Sequence, residues 1–239
     1  MFKRFALSAL TLAALQAVPM FALAQAADAV VKPTLPAKIT YLVTSQDLRK
    51  CAFPFCGGYY VKAVNQPLTK CADGSYAKTC HAVLLNTDAL GWSDEQRAKF
   101  NEAFAAGKAL VQGNLAKGEL QGVQADVLTA FDAWQGQTAR KPAGSFYAVR
   151  DTGIRCIVAP CPSLGAQLLN TSIPETNPDL DLSATGATQA QIEATGPALG
   201  TTGVFVAGTI VATRTTDFAG KVRKGTKLVA SEFYLPAKP

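Results

Sequence analysis

The sequence predicts a mainly β protein with one helix in each of two similar units, an α+β chain built as a tandem duplication of β-β-β-α-β-β. Three observations predict it. Tyr41–Asn65 and Phe146–Asn170 align without a gap, so that Cys51 falls on Cys156, Cys56 on Cys161 and Asn65 on Asn170. A second block of matches follows at a shorter offset: Gly91 with Gly186, Ser93 with Thr188, Gln96 with Gln191, Val111 with Val206 and Gly113 with Gly208. Around both blocks, short runs rich in β-branched and aromatic residues are bounded by turn residues, which is the pattern of strands.

The chain opens on a leader. Lys3 and Arg4 precede an uncharged apolar stretch, Phe5 to Phe21, and Ala22-Leu23-Ala24 supplies a small-x-small cleavage pattern. The stretch falls short of the roughly 20 apolar residues of a membrane span and is interrupted by Gln16 and Pro19. Residues 1–24 therefore read as a signal peptide cleaved near Ala24, residues 25–38 as an N-terminal linker, and the mature protein as periplasmic or secreted. No later segment reads as a membrane span.

In the first unit, 39–135, Ile39–Gln46, Tyr59–Asn65 and Cys80–Leu85 read as strands. Ser93-Asp94-Glu95-Gln96 is a capping box, in which Ser accepts a backbone N–H while Gln reaches back. Phe100, Ala103 and Phe104 then share one helical face, and Gly107 ends the helix. Lys108–Ala116 and Val127–Trp134 complete the unit. A polar Gly- and Pro-containing linker, 136–145, leads to the second unit, 146–239. There Thr188 to Gln191 caps a short helix stopped by Gly196-Pro197, and Gly203–Thr213 and Lys227–Leu235 close the unit. Three strands, a helix and two strands follow the order of the OB barrel. Two OB-like barrels are the expected arrangement; one continuous sheet sharing strands between the units is the alternative.

All six cysteines, Cys51, Cys56, Cys71, Cys80, Cys156 and Cys161, follow the leader. An even number in an oxidising compartment reads as disulfides. The second unit lacks the stretch that holds Cys71, Asp73-Gly74 and Cys80, so these two cysteines are absent together. That favours Cys71–Cys80, with Cys51–Cys56 and Cys156–Cys161 each closing its own loop; a bridge between the two Cys-x4-Cys loops is the alternative. Four thiolates, Cys51, Cys56, Cys156 and Cys161, are the rival reading as a zinc site. Structural zinc takes close pairs at C-x2–4-C, but the exported location argues against the free thiolates it would need.

Several function classes are excluded. The 23 basic and 17 acidic residues leave a net charge of +6, to which the leader contributes Lys3 and Arg4. The basic residues are scattered, and an exported protein does not meet nucleic acid, so no nucleic-acid partner is expected. His81 is the sole histidine, and its neighbour Cys80 is committed to a disulfide, which removes the usual base–nucleophile combinations. Asp94 and Glu95 suit the first turn of a helix, and Asp73-Gly74 suits a turn. No catalytic residue, cofactor or metal ligand is assigned.

The apolar tips of the two Cys-x4-Cys loops are the contact candidates: Phe53, Pro54 and Phe55 in the first, Ile157, Val158 and Pro160 in the second. A short closed loop loses little entropy on docking. Small domains commit apolar residues to the core first, so the expected placement is inward, plugging the barrel ends. The expected function is a non-catalytic binding or structural module, with an envelope or extracellular protein as partner. The alternative is a secreted inhibitor of a protease or other hydrolase; an enzyme or zinc protein is less favoured.

Arg49-Lys50-Cys51, Pro54, Cys56-Gly57-Gly58-Tyr59 and Asn65 form one motif, Cys71-Ala72-Asp73-Gly74 and Cys80 a second, and Asp151 to Cys156 with Pro160-Cys161-Pro162-Ser163 a third. In these motifs, over roughly residues 40–235, the chain resembles an uncharacterised family of exported bacterial proteins carrying a duplicated Cys-x4-Cys domain of unknown function. The resemblance implies the compartment and the architecture, and no activity, cofactor or catalytic residue. His81 departs from the aromatic residue common after the last cysteine of the middle motif.

Overall fold

Apart from a separate two-stranded ribbon, the strands of both predicted units belong to one open sheet. The structure, a computed structural model, describes residues 38–138, 140–157, 160–217 and 219–237. The predicted signal peptide, the linker up to residue 37, and Val158 lie outside the described residues. Chain order is β1 (Ile39–Gln46), β2 (Tyr59–Ala63), β3 (Thr69–Lys70), β4 (Tyr76–Ala77), β5 (Cys80–Ala82), β6 (Leu84–Asn86), α1 (Asp94–Ala105), β7 (Ala109–Leu120) and β8 (Val123–Gly136). Then come β9 (Ser145–Asp151), β10 (Leu164–Leu168), β11 (Asp179–Asp181), α2 (Gln189–Glu193), α3 (Thr195–Leu199), β12 (Val204–Thr216) and β13 (Val222–Pro236). Strands run β10-β9-β12-β13-β8-β7-β1-β2-β5, with β6 parallel to β8 and β11 parallel to β13.

The OB-like barrels expected from strand order do not form. β8 pairs with β7 along one edge; on its other edge β6 of the same half takes Val127–Thr129 in parallel and β13 takes Trp134–Gly136. The β8–β13 pairing runs the two halves into one sheet.

The order of elements recurs along the chain. β1, β2, β6, a 3-10 turn at Asp88–Leu90, α1, β7 and β8 are followed by β9, β10, β11, a 3-10 turn at Ser183–Thr185, α2–α3, β12 and β13. Each long hairpin carries one register shift, at Gln112/Gly113 and at Ala207/Gly208. Glycine is required at both. A Cβ would sit 2.1 Å from Thr129 O at the first and 2.3 Å from Val229 O at the second, far inside van der Waals contact.

Ser93 and Gln96 form the predicted capping box of α1, and Thr188 and Gln191 form that of α2. The second half departs from the expected single helix. Gly196-Pro197 does not stop the chain but lies inside α3, because proline lacks only an N–H that the first helical turn leaves unpaired anyway.

Alternation along the strands builds the core. Tyr41, Val43, Val61 and Val111 meet Phe100 and Phe104 of α1 on one face. Val149, Val204, Val206 and Phe233 pack with Leu182 and, at its border, Ile192 and Leu199. The opposite face carries Leu42, Leu110 and Trp134 from the first half and Phe146, Phe205 and Tyr234 from the second. Trp134 stacks on Phe205 with ring centroids 4.0 Å apart, so this third cluster is the apolar seam between halves.

Two asparagines lock the seam. Asn65 donates from Nδ2 to Phe146 O and Leu169 O and accepts from Phe146 N at Oδ1. Asn170 donates to Thr40 O and Val64 O and accepts from Thr40 N. Each side-chain amide thus acts as one further peptide unit for the other half's strands. Both residues have φ of 58°, a left-handed conformation that asparagine tolerates better than other non-glycine residues.

Candidate functional site

The structure pairs Cys51–Cys56, Cys71–Cys80 and Cys156–Cys161. With both Cys-x4-Cys loops closed on themselves, the four thiolates of the rival zinc reading are not available. The Cys71–Cys80 bridge ties the small β3–β4 ribbon to the start of β5, where Cys80 is buried.

The loop 51–56 stands on a charged base that sequence reasoning missed. Asp47 follows β1, and its side chain is only 2% exposed. Arg49 grips it with Nε 2.9 Å from Oδ1 and Nη2 2.7 Å from Oδ2, while the backbone N–H of Arg49 donates to Oδ1. These bonds from Arg49 hold the carboxyl well below the ordinary carboxylate range, against the opposing effect of burial. His81 reaches in from β5, with Nε2 2.8 Å from Gly57 O and 3.2 Å from Asp47 Oδ2. Both neighbours are acceptors, so Nε2 carries a hydrogen. The strand alternation expected of His81 is present, since Cys80 and Ala82 on either side are buried while His81 is half-buried. The signal available in the sequence was Asp-x-Arg directly after a strand, a spacing that lets the acid accept from the backbone two residues on.

Above this base the tip of the loop faces outward. Phe53 is 46% exposed and Phe55 66% exposed, whereas Pro54 between them is buried and anchors the turn. The expected inward placement fails for Phe53 and Phe55, because Pro54 and Cys56 take the buried positions of the loop. The second loop behaves alike by different means. Arg155 donates to both oxygens of Asp151, which holds that carboxyl down to about 2, and Thr152 Oγ1 donates to Pro162 O. Pro160 packs against the β12–β13 hairpin at Gly225, and Ile157 is 97% exposed.

A cleft of about 1200 Å³ lies between α1 and α2–α3, at the adjoining ends of β8 and β13. Gln96, Gln135, Gln137 and Gln191 line it beside Lys99. Gln96 and Gln191 are the two capping-box glutamines; Gln191 also donates across the seam to Gln137 O. The lining offers neutral hydrogen-bonding groups and one cation. Sequence reasoning missed this cleft because its walls come from both halves.

A family model described as a domain of unknown function, DUF6748, matches residues 40–239. The chain belongs to the DUF6748 family. The matched region covers both Cys-x4-Cys loops, all the described strands and the cleft, so the DUF6748 domain comprises both halves of the sheet. No curated protein and no solved structure matches the chain. Among the described residues, no helix is long and apolar enough to cross a membrane.

Proposed function

We propose that this DUF6748 chain is an exported, non-catalytic binding module, built by tandem duplication, that contacts a partner protein of the envelope or medium through its disulfide-closed loops. One observation carries the reading: the aromatic tip of the first loop faces solvent while its base is fixed by Asp47, Arg49, His81 and a disulfide. A rigid, desolvation-ready aromatic tip is what hot spots of protein interfaces use. Export rests on the leader pattern of residues 1–24 and accords with the three disulfides. The recurrent element order and the matched Asn65 and Asn170 support duplication.

The test places a photo-crosslinking amino acid at Phe53 in the secreting cell, with Glu95 on the far helix as control position. A single protein adduct from Phe53, absent from Glu95 and abolished by Phe55→Ser, is the expected result. Equal labelling at both positions, or none at Phe53, overturns the reading.

A second reading, a hydrolase inhibitor, is favoured by Ile157, whose near-complete exposure at the head of a closed loop suits insertion into a protease cleft. Stoichiometric loss of activity in a protease panel supports it. Progressive digestion of the loop without inhibition sinks it.

A further inference from the structure

The β12–β13 hairpin runs well past the body of the sheet, and its far end carries an unusual distribution of charge. Arg214 on β12 stands directly opposite Lys224 on β13. Side chains so paired lie about 5 Å apart at Cβ, and like charges there destabilise the ribbon. Neither has an acidic partner among the described residues, nor has Lys221 at the base of the turn; all three are exposed. The acids nearby are already engaged. Asp217 accepts from Arg223 at 3.0 Å and from the backbone of Lys221, and Asp151 is held by Arg155. Ala212, Thr216, Val222 and Thr226 share the face of Arg214 and Lys224 and are exposed as well, so nothing in the fold covers it. The first hairpin lacks this pattern: its Lys117 is paired with Asp126.

We infer that this end of the ribbon docks on an anionic lipid surface. A fold that tolerates two opposed, uncompensated cations supplies positive charge that an anionic partner would neutralise. The choice of a bilayer over a soluble polyanion follows from the apolar side chains at the same end. Val222, 58% exposed next to Lys221, shares the face of the cations, and Ile154 and Ile157 are exposed on the loop that Pro160 sets against the ribbon's other face at Gly225. Such side chains gain from entering the headgroup region, where the cations meet lipid phosphates, and gain nothing from a soluble polymer. The inference stands apart from the contact reading of the first loop, whose variants leave the ribbon unchanged.

The test uses the full mature chain with vesicles of phosphatidylcholine, alone or mixed with phosphatidylglycerol, at low and high salt. Binding to the mixed vesicles only, weakened by salt, is expected. Each surface cation is worth about fivefold in binding, so the Arg214→Gln/Lys224→Gln variant should bind roughly 30-fold more weakly. Its melting temperature should not fall, because a repulsive pair has been removed. Ile157→Ser/Val222→Ser should lower vesicle binding and leave binding of inorganic polyphosphate unchanged. The inference is overturned if phosphatidylglycerol confers no preference, if the Gln variant binds like the parent, or if polyphosphate binds as tightly as the vesicles per phosphate.

Discussion

Asn65 and Asn170 show how much a single side chain can carry when it must both donate and accept. Asn170 makes three hydrogen bonds to Thr40 and Val64. Its replacement by alanine leaves the buried Thr40 N–H without that partner and sets at φ 58° a residue that tolerates the left-handed region less well than asparagine. We expect Asn170→Ala to cost about 2–4 kcal/mol in urea unfolding, and Asn170→Asp to cost at least as much, because a carboxylate would face two carbonyls. Tyr41 carries a second prediction. Burial pushes its hydroxyl up to about 12 from an ordinary value of 10.0. A raised pKa means that the neutral form is favoured by folding, so this contribution is whole below pH 10.0 and is lost as pH rises towards about 12. Tyr41→Phe should move the alkaline unfolding midpoint upward. At this scale the sequence disclosed the types of residue and little about their partners. Asn65 and Asn170 stood out as a matched pair, yet nothing near them in sequence reveals that each reaches across the seam. Asp47 escaped notice because its burial depends on Arg49 folding back and on His81 arriving from β5.

Elements were legible where local chemistry determines them. The capping boxes at Ser93 and Thr188 begin helices as expected, and the three disulfides close as their spacing and joint absence suggested. Extents were less legible. β7 and β8 run on to Leu120 and from Val123, joined by Gln121 and Gly122 at positive φ, a two-residue hairpin turn. Past Ala116 and its partner Val127 only Ala125 is buried, so hydrophobic alternation could not mark this part of the hairpin. The matched glycines have a mechanical cause that sequence comparison only flagged. We expect Gly208→Ala to destabilise by about 2 kcal/mol or more, since its Cβ would meet the backbone at Val229 in a packed ladder. A comparable substitution at Gly196, which faces open space within α3 and has no positive φ, should cost less than half as much; paired chemical denaturation of the two variants checks the contrast.

The whole molecule departs most from what the chain suggested. Two barrels and one shared sheet use the same strands in the same order, and the difference lies in whether β8 and β13, besides pairing within their own halves, also pair with each other. That choice is made by long-range contacts, Trp134 on Phe205 and the asparagine lock, which leave no local periodicity. Because the seam cluster draws residues from both halves, equilibrium unfolding should give one transition by near-ultraviolet circular dichroism and by Trp fluorescence. Two separated transitions would mean that the halves fold alone. Residues 38–138 expressed without the rest should expose Leu42, Leu110 and Trp134 and bind a hydrophobic dye.

The reciprocal use of Asn65 and Asn170 bears on how such a chain could arise. Each half offers an amide that only a similarly shaped half can receive, and offers in return the backbone groups that the other amide needs. The proposed duplication would make this seam the former interface of a homodimer whose copies became covalently joined, after which the two ribbons could diverge, one balancing its charge and the other leaving it open.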